Sequence, residues 1–211
     1  MANIPSFRSV SANQRFWLGI AAGALVVAGA AWWAVGSYRR GQARDGLNAF
    51  GAFQRPPLEL LFPRLVMDTE ASRKILEPGV EAGIWTLHQR GGNSRSASHS
   101  LEVRLTDQGQ RWFSVVGNQV VATFAAGTRE VTRVVELNEI FPSRQVRFLY
   151  RWRGFHPGSA VLGAELPEVG KQYEGQALFL YETDGWRVMH WTAPEFDHAL
   201  ARFKELEPAS N

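Results

Sequence analysis

No cysteine occurs anywhere in the 211 residues. That excludes disulfides, thiolate metal sites, a cysteine nucleophile and a lipidated Cys, while leaving the compartment open. Neither sign of charge dominates: 23 Lys plus Arg stand against 20 Asp plus Glu, and a net charge of +3 is weak evidence for a nucleic-acid partner. No internal repeat or low-complexity tract is present. Also missing are a Gly-rich phosphate cradle, a nucleophile elbow and a zinc-ligand spacing. No cofactor, metal or catalytic residue is therefore assigned, and no nucleic acid is expected.

Charge is absent altogether from one long stretch, Phe16 to Tyr38, which arginines close at both ends. As a helix it would rise roughly 34 Å, against a bilayer hydrocarbon core of about 30 Å. Phe16 and Trp17 stand at one end, Trp32, Trp33 and Tyr38 at the other, where aromatic belts meet the lipid interfaces. The "AGA" at 28–30 has the form of a signal-peptidase site, but the apolar run continues past it, so an uncleaved anchor is the expectation. The organisation predicted is a tail over 1–15, a single transmembrane helix over 16–38, a juxtamembrane linker over 39–57, a globular domain over 58–207 and a tail over 208–211. Its lipid partner is a bilayer met through residues 16–38. Leu47, Phe50 and Phe53 in the linker recur at three-residue spacing and suit a headgroup region. The placement expected is a bacterial inner membrane, single-pass by signal-anchor, with the C-terminal domain periplasmic.

About 150 residues remain for one core, to which eight Trp and thirteen Phe contribute. Short helices are predicted around Leu58–Leu65 and Thr69–Leu76, the second ended by "EPG". The run "GVEAGIWTLHQ" is ambiguous between helix and strand, and "RGGNSRSASHS" at 90–100 reads as an exposed loop. Then the period becomes two. "LEVRL" is a strand, and a helical turn capped by Thr106 follows. Alternating strands are predicted over 119–125, 131–138, 145–152, 175–182 and 186–193. A closing helix spans about 195–207, with Phe196, Leu200, Phe203 and Leu206 on one stripe. The fold class is thus α+β, with helices and a curved antiparallel sheet behind the transmembrane segment.

Asp184-Gly185 sits between two alternating runs, a strong hairpin signal. A type I′ turn there would set Glu182 opposite Arg187, Tyr181 opposite Val188 and Phe179 opposite His190. The hairpin "DGWRVMHW", together with the element order from Leu58 to Ala193, resembles the nuclear-transport-factor-2-like (cystatin-like) superfamily. That resemblance implies a cone with a pocket between the helices and the concave sheet. It also implies relatives in envelope secretion and lipid-import assemblies.

Two sets of site residues follow. His190, Phe179 and Tyr181 are candidates for ligand binding, His190 because an imidazole titrates near neutrality. His190, Asp197 and His198 match no compact metal motif. Arg147, Arg151 and Arg153 share one strand face with Leu149 and form a basic surface, which Arg133 extends. The bland reading of that row is pairing with Glu136, Glu174 or Glu182. The function expected is a non-catalytic accessory or docking subunit of an envelope assembly, with protein partners or further copies of itself. The alternative is a tethered pocket protein that holds a small apolar ligand or uses His190 in acid–base chemistry.

Overall fold

A computed structural model describes residues 12–90, 99–193 and 196–209; the side chains of residues 12–26, Asp197 and His198 stand outside that description. The chain divides into two units, Met1–Gln42 and Ala43–Asn211. The first is helical from Ala12, as part of α1 (Ala12–Ala49). Trp32 and Trp33 on it are 85% and 72% exposed.

Among the described residues no helix is long and apolar enough to cross a membrane. That finding corrects the expected span over 16–38, and with it the bilayer contact, the single-pass signal-anchor and the inner-membrane placement. Residues 39–57 are not the expected linker either. The helix runs on to Ala49, α2 (Gly51–Gln54) adds one more turn, and Ala43, Leu47 and Phe53 are buried.

From Pro57 onward the second unit is mostly antiparallel sheet, in three pieces. The first half supplies β1 (Pro57–Pro63), β2 (Leu65–Met67), α3 (Glu70–Glu81), β3 (Trp85–Arg90) and β4 (Ser100–Leu105). A 3₁₀ turn at Gly109–Arg111 leads into β5 (Ser114–Val116) and β6 (Gln119–Ala125). Then come β7 (Gly127–Ile140), β8 (Ser143–Phe155), a 3₁₀ segment over Pro157–Glu165, β9 (Gln172–Glu182), β10 (Gly185–Thr192) and α4 (Asp197–Lys204). The sheets are β1-β6-β5, β2-β4-β3 and β10-β9-β8-β7. The expectation of one curved sheet is corrected accordingly.

The helix expected around Leu58–Leu65 is instead strand, β1 over Pro57–Pro63 and the first residue of β2, although leucine favours helices locally. Prolines bound a run too short for a stable helix, and alternation decides: Leu58, Leu60 and Phe62 are buried, whereas Leu61 is exposed. α3 also departs from expectation. Thr69 caps it, its hydroxyl accepting from Ser72 N at 3.1 Å, but the helix passes through Pro78 to Glu81. Trp85 holds this last turn. Its Nε1 donates to the Leu76 carbonyl at 2.9 Å, and its indole lies so close to Gly79 that a Cβ there would stand 2.0 Å from a ring atom. Thr106 caps its 3₁₀ turn as expected, accepting from Gly109 N at 3.0 Å.

Two apolar clusters result. One joins Leu58, Phe62, Trp85, Val103, Phe113, Trp152 and Phe203. The other lies on the inner face of the four-stranded sheet, where Val131, Val146, Phe148, Tyr150 and Phe179 meet Ala43, Leu47 and Phe53. Phe53 anchors it, with edge-to-face contacts to Phe148, Tyr150 and Trp191 at 5.4–5.8 Å.

Candidate functional site

β9 and β10 form the expected hairpin, with a different register. Glu182 lies opposite Gly185, Tyr181 opposite Trp186, Arg187 opposite Leu180 and Val188 opposite Phe179. The loop is therefore Thr183–Asp184, and Gly185, at φ +120°, opens β10. That φ is one other side chains rarely adopt. A shift of two positions leaves face assignments unchanged, so Phe179 and Val188 stay on the inner side. A bulge between Val188 and His190 then reverses them, setting His190 opposite Leu178. One extra residue exchanges the faces of everything beyond it.

The expected trio is thereby separated. Phe179 is 1% exposed in the inner core, and Tyr181 is 48% exposed near the hairpin end. His190 is exposed on the outer face. There it borders a shallow groove of about 520 Å³ with Glu136, Asn138, Gln145, Arg147 and Gln176. Val146, Ala177 and Leu178 complete the lining, so the groove mixes amide, charged and apolar groups. Asp197 and His198 fall outside the described side chains. Burial acts on a different imidazole, His156, and lowers its pKa. Its Nδ1 accepts from Gly158 N at 3.1 Å, and its ring stacks on Phe124 at 4.5 Å. That residue is a turn cap.

The arginine row faces outward and is neutralised. Arg147 reaches Glu136 at 3.2 Å and Glu174 at 3.3 Å. Arg151 and Arg153 share Glu130, at 3.2 and 2.6 Å. Glu130 titrates below the ordinary carboxylate range, chiefly through its hydrogen bond from Arg153.

A feature the sequence reading passed over lies at the β7–β8 turn. Ile140 opposes Ser143, leaving Phe141-Pro142 as the connection, and Tyr181 N donates to the Pro142 carbonyl at 2.8 Å. Ile140 is 80% exposed and Phe141 72%. Beneath them the side chains form a ladder. Phe141 meets Tyr181 at 5.6 Å, Tyr181 meets Trp186 edge-on at 5.4 Å, and Arg144 lies over Trp186 at 4.1 Å. Arg144, 2% exposed, donates through Nε and Nη2 to one oxygen of Glu139 at 3.0 and 2.8 Å. An exposed apolar tip thus stands on a buried, hydrogen-bonded cation. Its signal in the sequence is "EIFPSR", where apolar alternation runs up to a proline and resumes beyond it.

Comparison with known proteins finds no match among family models, curated proteins or solved structures. The nuclear-transport-factor-2-like resemblance is neither supported nor refuted by that outcome.

Proposed function

We propose that this chain is a non-catalytic docking protein that offers the β7–β8 tip to an apolar pocket on a protein partner. The observation that carries the reading is the exposure of Ile140 and Phe141, 80% and 72%, at the end of the Tyr181–Trp186–Arg144 ladder. Large apolar side chains in water have no folding benefit, and here two of them occupy adjacent positions. Interface energy concentrates in such anchors when they enter a dry pocket, because little conformational freedom is left to lose.

The test is a photo-crosslinking residue placed at position 141, with the same residue at Arg133 on the outer sheet face as control, in cells that make the protein. One protein captured at 141 and not at 133 supports the reading. So does a purified complex weakened roughly tenfold or more by Phe141→Ala. Equal capture at both positions, or a complex indifferent to Phe141→Ala, rejects it. Adducts between two copies of this chain at 141 also reject it in favour of self-association.

A further inference from the structure

The β2-β4-β3 sheet carries a second arrangement of arginines, unlike the neutralised row. Glu102, whose side chain is 8% exposed, is the carboxylate at its centre. Arg64 Nη2 donates to Oε1 at 2.6 Å, and Arg104 donates to Oε2 through Nη2 at 2.8 Å and Nε at 3.1 Å. Arg90 Nε stands 3.8 Å from the same Oε2. Three guanidinium groups thus gather on one carboxylate, and two positive charges are left in excess. Arg104 first, then Arg64 and Arg90, hold the Glu102 carboxyl below its usual range, so it stays ionised and keeps the guanidiniums in place.

Beside this cluster an open, shallow cavity of about 530 Å³ lies between β4 and β5, with Val103 and Phe113 also in its lining. Arg64, Arg104, Gln110 and Ser114 supply its polar wall, Leu105 and Val115 its apolar wall. The side chains of Arg64 and Arg104 are 37% and 51% exposed, so part of each guanidinium faces water, while Arg64 Nε is buried without a hydrogen-bond partner. Each guanidinium carries five N–H groups, and one carboxylate cannot satisfy them all. The walls match a ligand with two ends, one strongly anionic and one apolar.

We infer that this cavity binds an organic phosphate monoester, the phosphate against Arg64 and Arg104 and the organic group against Leu105 and Val115. A phosphate monoester carries close to two negative charges at neutral pH, which answers the local excess, whereas a carboxylate carries one. Guanidiniums held in a fixed orientation receive phosphate oxygens in parallel pairs, and Gln110 and Ser114 add neutral donors. The site stands apart from the β7–β8 tip and does not depend on the docking proposal.

Titration calorimetry on the full chain tests the inference with phenyl phosphate, with benzoate, and with phosphatidylcholine vesicles containing or lacking phosphatidate. Saturable binding of phenyl phosphate, weakened roughly tenfold or more by Arg104→Gln and by Ser114→Asp, is the expected result. Ser114 is exposed, so its variant adds a repelling charge at the rim without removing Glu102 or any of its arginines. Arg151→Gln, in the other sheet, should change nothing. Binding confined to phosphatidate vesicles and lost in the same variants supports the same site with a lipid headgroup as its source. Benzoate binding as tightly as phenyl phosphate, equal losses in Arg151→Gln, or no saturable binding of any probe overturns the inference.

Discussion

On the inner face of the four-stranded sheet Arg129 and Arg144 are each 2% exposed, whereas on its outer face Arg147, Arg151 and Arg153 keep 44–59% of their side chains in water. The residue type is the same, and Arg144 shares β8 with the outer three while Arg129 lies on β7 beside it; the side of the pleat is what differs. Inside, Arg129 lies 4.6 Å from the Phe53 ring, 4.8 Å from Trp191, 5.0 Å from Trp152 and 5.5 Å from Tyr150, and its Nε donates to the Phe53 carbonyl at 3.0 Å. Outside, each arginine meets a carboxylate in water. A guanidinium is flat, delocalised and weakly hydrated, so aromatic faces can replace its water where an ammonium would not accept the exchange. Outer pairs exchange one set of charge contacts for another, and their net gain is small.

The sharpest break of this comparison is Arg129→Gln. It removes a cation from between four rings and leaves the Phe53 carbonyl without that donor, which costs about 3 kcal/mol. Urea unfolding measures it, and Arg129→Lys should recover little of the loss. A variant as stable as the parent would show that the rings, not the cation, hold the inner face. Arg144→Gln comes next, at about 2 kcal/mol, because the Glu139 carboxylate and the Trp186 face both lose the Arg144 guanidinium. Its distinguishing sign is a loss of near-ultraviolet dichroism from Tyr181 and Trp186 as the tip loosens.

The smallest effect belongs to the outer row. Arg153→Gln should leave the urea midpoint unchanged within error. Glu130 has its folded-state pKa lowered, first by Arg153 and then by Arg151, so what the pairing contributes is present above the ordinary glutamate pKa. It is lost as pH falls through the lowered folded value. Any difference between parent and variant should therefore vanish in acid, and in molar salt as well. A difference that survives both would mean that the outer arginines act through packing.

Much of the sheet was legible in the chain. The alternation over 119–125 marks β6 at its true ends, and the core of each of β7 to β10 falls inside an alternating run. The arginine row and its pairing with Glu136 and Glu174 followed from parity and nearby carboxylates. The position of His190 did not. Its face depends on a bulge in β10, which arises because two paired strands settle their twist jointly. β7 carries two such irregularities, between Val131 and Arg133 and between Val134 and Glu136, and a third, opposite Thr128 and Arg129, falls in β8. Strict alternation along that strand therefore misplaces side chains. The 57–63 strand was lost for a related reason: leucines favour helix locally, while β6 beside them decides otherwise.

The amino-acid order by itself determined which segments alternate, where prolines and glycines punctuate them, and that no thiol chemistry is available. These are properties of a few neighbouring residues. Only the tertiary structure decided which side of each strand meets the core, that Phe179 and His190 part company, and that three arginines converge on Glu102. Such outcomes depend on strands far apart in sequence twisting against one another. Their register is set by the packing of the whole sheet, and no local pattern carries it.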